Sequence, residues 1–314
     1  MMVVYRCTIS FGGEGIHMTH KKLILHVSLA TLSGLMIFAP VATIPAQASS
    51  VKPSSAMLKK SNSYYKKHYK AIAKKYKFTY SAQTGLNKSG TIYVYEKTKS
   101  SYLKKSLSLA MNYWNSKLGR QAIKVGSKKY HTVTFSVSNA KASKSDDSDA
   151  WWIPSTKKVQ IRNSLYADDL SVITNTTLYN SEKSLVKTAN ANLAAYKAGL
   201  STTDPDYQSK LDTYQQQQVD YAKAAFDNQE SNLKSGLAIK AREFEYANTL
   251  AHEFGHVMGL KHSPNKSDLM YWASGTNDIY NYNKVKNSSK GFSLVTSTDV
   301  ARAKLAVKVH NARN

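Results

Sequence analysis

Residues 252–262 read HEFGHVMGLKH, and no other stretch constrains the fold as tightly. On a helix, residues four apart share one face. His252 and His256 therefore point the same way and can bind one metal ion, and imidazole nitrogen suits zinc. Glu253 adjoins the first ligand, so its carboxylate can reach a water at an open coordination position. It can take that water's proton while zinc lowers the water's pKa. Gly259 can adopt the left-handed conformation that ends a helix, which lets the chain turn back and bring His262 to the same ion. Three histidines plus one water make a catalytic site rather than a closed structural one. The helix carrying the motif is expected from about Lys240 to Leu260, with Phe244, Ala247, Leu250, Phe254 and Val257 on its buried side.

Upstream, Ile92, Val94 and Glu96 alternate with Tyr93, Tyr95 and Lys97 and predict a strand. Leu103, Leu107, Ala110, Met111 and Trp114 recur at helical spacing between Tyr102 and Leu118, and Gly119 stops the run. Thr132–Val137 reads as a second strand. Trp151–Ile153, the turn Pro154–Lys157 and Val159–Ile161 read as a hairpin. Residues 177–235 hold almost no Gly or Pro apart from the break GLSTTDPDY. They predict a helical hairpin of two long arms, a solvated insertion over about 168–238. A last helix is expected after the cap Ser297-Thr298-Asp299.

The extended pattern HExxHxxGxxH resembles the signature of the metzincin peptidases. Within them the chain is most similar to bacterial matrixin-type proteases: Ser263 follows the third histidine, and SDLMY places Met270 eight residues beyond it. Weaker likeness extends to IYVYE, AMNYWN, AWWIPSTKKVQIRN and TSTDVARAKLAV. The resemblance implies an α+β, metzincin-like zincin fold, with a twisted mixed sheet, an active-site helix and a C-terminal helix. It implies Met270 as an apolar floor beneath the metal site, His252, His256 and His262 as zinc ligands, and Glu253 as the catalytic base. The implied activity is zinc-dependent endopeptidase action on protein or peptide substrates. The chain departs from the family at Trp272, where proline is usual, and it carries no cysteine-switch propeptide. Asp146, Asp147 and Asp149 read as an acidic surface loop in preference to a calcium site.

The formal charge is +24, which implies attraction to something anionic. Nucleic acid is discounted because the N-terminus is addressed outward. Lys21 and Lys22 precede an apolar run from Leu23 to Ala39, and Ala46-Gln47-Ala48 supplies small residues before a cleavage point. Residues 1–48 are thus expected to be a signal peptide, with 1–17 an upstream extension before Met18, and no membrane anchor should survive processing. The only cysteine, Cys7, goes with them. The remainder carries 41 basic and 19 acidic residues, or +22. Residues 49–88, rich in Lys, Ser and Tyr, are expected to be a basic linker or a contact segment for anionic cell-wall polymer, with the peptidase domain over 89–314. Two other readings stay open: a wall-associated surface protein with a vestigial zinc site, and a zinc hydrolase of wall peptides.

Overall fold

A computed structural model describes residues 5–7, 51–143 and 146–314. The expected signal segment lies outside these residues except at Tyr5–Cys7. The strands in chain order are β1 (Tyr5–Cys7), β2 (Ile92–Glu96), β3 (Ile123–Val125), β4 (Val133–Ser138), β5 (Ala150–Ile153) and β6 (Lys158–Arg162). They form one sheet in the order β1-β5-β6-β4-β2-β3. β2 pairs in parallel with β3 and β4, and β4 with β6, whereas β5 pairs antiparallel with β6 and β1. The alternation read in the sequence decides which side faces the core. Ile92 and Val94 are buried while Tyr93 and Tyr95 are half-buried on the other face. The tight turn into β6 puts Lys157 at φ 54.

The helices are α1 (Ser55–Leu58), α2 (Asn62–Lys75), α3 (Ser101–Leu118), α4 (Asn163–Gly199), α5 (Tyr207–Asn232), α6 (Ala238–Val257), α7 (Tyr282–Asn287) and α8 (Ser297–Arg313). Ser100 caps α3 by accepting from the Leu103 amide, and Gly119 ends it at φ 66. α3 and α6 pack together and against the sheet. Trp114, fully buried on α3, donates from Nε1 to the Ala251 carbonyl of α6 at 2.7 Å. Trp152 on β5 does the same to Ala82 O at 2.9 Å. The polar end of each ring is thereby satisfied while its area fills the core. The cap of α8 is Thr296 rather than the Ser297–Asp299 triplet, and Asp299 completes a capping box with it.

The segment expected as a basic linker or contact strip is folded onto the domain. Ser54 and Ser61 cap α1 and α2 through their hydroxyls. Tyr65, Ile72, Tyr76 and Phe78 are buried in the main core, and α2 runs along α8. Lysines at most intervening positions masked this apolar stripe in a reading by composition.

The insertion leaves the sheet directly, since α4 starts where β6 ends. Its root belongs to the domain: Ile173 and Leu233 pack with Phe244, Ile279 and Tyr282. Its far end is a separate small cluster of Ala189, Leu193 and Leu211, with Tyr196 and Tyr214 stacked at 4.0 Å. α5 passes into α6 through a π turn in which Gly236 takes φ 138. Because the two clusters are separate, replacing residues 186–224 by a short Gly/Ser loop is expected to leave zinc content and the main thermal transition unchanged. Loss of zinc, measured by elemental analysis, would show that the tip braces α6.

Candidate metal centre

One helical turn separates His252 from His256 on α6, and both are fully buried. Their Nε2 atoms lie 3.1 Å apart. Each Nδ1 faces a carbonyl, Leu269 O for His252 and Leu260 O for His256, both at 2.7 Å. Each Nδ1 therefore carries the proton and donates it, which leaves the Nε2 lone pairs directed at a common point. His262 closes the triangle, with ring centroids 5.3 Å from His252 and 5.0 Å from His256. One donor atom from each histidine falls within 4.8 Å of the others, as a single ion requires. These three are the group among the described residues that meets this condition.

The electrostatics suit a cation. Burial, reinforced by the neighbouring His262, drives the His252 pKa down to about 3, and burial pushes His256 well below its ordinary value. Both rings are therefore neutral, as metal ligands must be. Glu253 is completely buried at the same level of the helix. Burial raises its carboxyl well above the usual range, with the backbone amide of Trp152 opposing the shift. No side-chain donor engages either oxygen. A buried, raised carboxylate beside three converging imidazole nitrogens is an unfinished electrostatic arrangement, and a divalent cation of zinc's ligand preference completes it.

Met270 is buried and lies against α6 at Gly255. A Cβ on Gly255 would come within 2.2 Å of the Met270 sulfur, so the glycine inside the HExxH motif is what admits the methionine. Gly259 sits at φ 94, and a Cβ there would meet the Thr79 carbonyl at 2.7 Å. The turn that swings His262 into place thus depends on glycine twice over.

Several residues that hold the loop were not singled out in the sequence. Arg302, buried in α8, donates from Nη2 to Lys77 O at 2.6 Å and Lys261 O at 2.7 Å, and from Nε to Tyr76 O at 3.0 Å. Lys261 N in turn donates to Lys77 O at 2.8 Å, and Phe78 bridges to Leu260. Asp299 accepts from the Leu269 amide at 2.9 Å, so α8 also fixes the carbonyl that orients His252. Asp268 accepts from Ser263 at 2.6 Å and from Thr296 at 2.8 Å. A signal existed: Arg302 interrupts an otherwise apolar stripe of Ala301, Ala303, Leu305 and Ala306. The acidic loop is organised by a cation of the chain itself, since buried Arg162 pairs with Asp146 at 3.0 Å.

The sequence matches the Matrixin family (Peptidase_M10) over residues 99–291, a span that includes all three histidines, Glu253 and Met270. No curated protein and no solved structure matches the chain. The match covers more than half the chain, and the mixed sheet, the histidine triangle built from α6 and the turn after it, and the methionine packed against α6 agree with it. The chain therefore belongs to the matrixin family of zinc-dependent metallopeptidases.

Proposed function

We propose that this chain is a secreted endopeptidase. It would hydrolyse peptide bonds at the site formed by His252, His256, His262 and Glu253. The observation that carries the reading is Glu253, a buried carboxylate that binds no side chain and stands beside three converging imidazoles. A decayed, purely metal-binding site has no need of it. When bound, zinc supplies Lewis acidity and brings the pKa of a coordinated water toward 7. The chain's own part is to keep three imidazoles neutral and aimed, and to set a basic carboxylate beside the attacking water. Glu253 accepts the water's proton and returns it to the leaving amine. Burial raises its affinity for a proton, which favours taking one from the water.

Substrate would lie along β5. Tyr5–Cys7 already pairs antiparallel with that strand, Tyr5 opposite Trp152 and Cys7 opposite Ala150. Trp152 is the residue whose backbone faces Glu253. A peptide adding to this edge by main-chain hydrogen bonds would pass beside the catalytic carboxylate. Signal cleavage after Ala48 would remove β1 and leave the β5 edge to substrate. Val51, just beyond that point, is buried.

One experiment covers both halves of the proposal. Protein recovered from culture medium is expected to begin near Ser49 by mass spectrometry and to cleave members of a peptide library. A chelator should stop the cleavage and added zinc restore it. Intact residues 20–48 on the extracellular form would refute processing. A zinc-loaded protein that cleaves no peptide in the library would refute the activity.

A further inference from the structure

We propose that the layer formed by α1, α2 and α8 is a docking surface for a linear, phosphate-bearing polymer. Ten lysines and no acidic residue lie between Val51 and Tyr95, and after Asp299 the helix α8 adds Arg302, Lys304, Lys308 and Arg313 without an acid. All but the buried Arg302 are exposed. The two stretches form one layer. Arg302 donates to the Tyr76 carbonyl and Arg313 stacks on the Tyr69 ring at 4.5 Å, so α8 runs antiparallel along α2. Among the described residues no exposed cation of this layer forms an ion pair with a carboxylate. Lys52 reaches only the Ser297 hydroxyl.

The charge is uneven along the chain. Residues 163–237 carry six lysines and nine acids, a net of −3, and residues 96–162 carry fourteen cations and four acids, a net of +10; the stretch from 51 to 95 differs from both in holding no acid. Folding does not favour this. Lys66, Lys70 and Lys74 follow one another at four-residue steps, and like charges at that spacing destabilise a helix. α1 and α2 also lie outside residues 99–291, the span that matches the family.

The chemistry selects the partner. Steps of four residues place charges about 6 Å apart along the helix, a row suited to a flexible chain with regularly spaced anions. The stretch from 51 to 95 uses lysine throughout and no arginine. Lysine offers a compact point charge that meets a tetrahedral phosphate from many directions, whereas the planar fork of arginine clamps carboxylate or phosphate in a fixed bidentate geometry, so a row of lysines suits a flexible polymer. Stacking on nucleic-acid bases is disfavoured, because the rings here are covered by the chain's own cations: Lys60 over Tyr64, and Arg313 between Tyr69 and Tyr80. The inference rests on none of the catalytic residues and stands apart from the peptidase reading.

The test is titration of zinc-loaded protein with long-chain inorganic polyphosphate at several salt concentrations. Lys66, Lys70 and Lys74 are replaced together by glutamine. A control carries Lys183→Gln, Lys187→Gln and Lys197→Gln, which removes the same charge from exposed sites on the insertion. The α2 variant is expected to bind about ten-fold or more weakly at low salt, with the slope of log K against log salt reduced by about 2. The control should bind as wild type, and helicity by circular dichroism and zinc content should be unchanged in both. An equal loss in the control would overturn the surface in favour of net charge alone. Absence of binding to polyphosphate at low salt would also overturn it, as would tighter binding to duplex DNA at equal charge concentration.

Discussion

Glu253→Gln is expected to lower peptide hydrolysis by about 10²–10⁴-fold while leaving zinc content and folding close to wild type. Glutamine keeps the shape of the carboxyl but cannot accept the water's proton. The three histidines are untouched, and their orientation comes from Leu269 O, Leu260 O and the Arg302-braced loop rather than from Glu253. No side chain engages the carboxyl, and the amide oxygen of glutamine can still accept from the Trp152 backbone. His256→Ala should differ in kind, losing metal and activity together, because it deletes one of three ligands and orphans the Leu260 carbonyl. Kinetics with a quenched peptide, paired with metal analysis, separate the two. If Glu253→Gln retains activity within a few-fold, the base lies elsewhere and the proposed chemistry fails.

The parts of this molecule legible in sequence are those set by short-range rules. Histidines at i and i+4 share a helix face whatever surrounds them, and a glycine two residues beyond a helix end can turn the chain. The alternation of Ile92 and Val94 with tyrosines told core from outer face for the same reason. What escaped depends on distant contacts. β3 is three residues long and exists because Ile123 pairs with Ile92. α2 looked like linker because lysines outnumber its apolar residues, yet Tyr65, Ile72 and Tyr76 need only one stripe to bury. The bracing of His262 joins Lys77, Lys261 and Arg302, which are up to 225 residues apart, and no local pattern encodes that meeting. The insertion's arms were legible as helices, but its grip on the active-site helix was not.

That grip leads to the second large effect expected here. Asp169, on the insertion, accepts from the Tyr246 hydroxyl of α6 at 2.7 Å. Glu245, one residue earlier on α6, is wholly buried, and Asp169 and Asp149 both face it. Burial, then the neighbouring Asp169 and Asp149, raises the Glu245 pKa to about 8. Burial raises Asp169 to about 6, opposed by the Tyr246 hydrogen bond and Arg242. The folded state therefore holds protons that the unfolded chain releases. The stabilisation is complete below about pH 4 and declines as pH rises through each folded pKa. From about pH 6 to 8 Glu245 dominates, and its share falls by about 1.4 kcal/mol per pH unit. The buried histidines have depressed values and the opposite sign, losing stability as pH falls below their unfolded pKa near 6.5, so wild type and variant must be compared at each pH. Glu245→Gln copies the protonated carboxyl. It is expected to be more stable than wild type at pH 8, to converge with it near pH 5, and to flatten the difference in denaturant midpoint between them. A variant less stable than wild type at pH 8 would mean that Glu245 is ionised in the folded protein and held there by a positive partner.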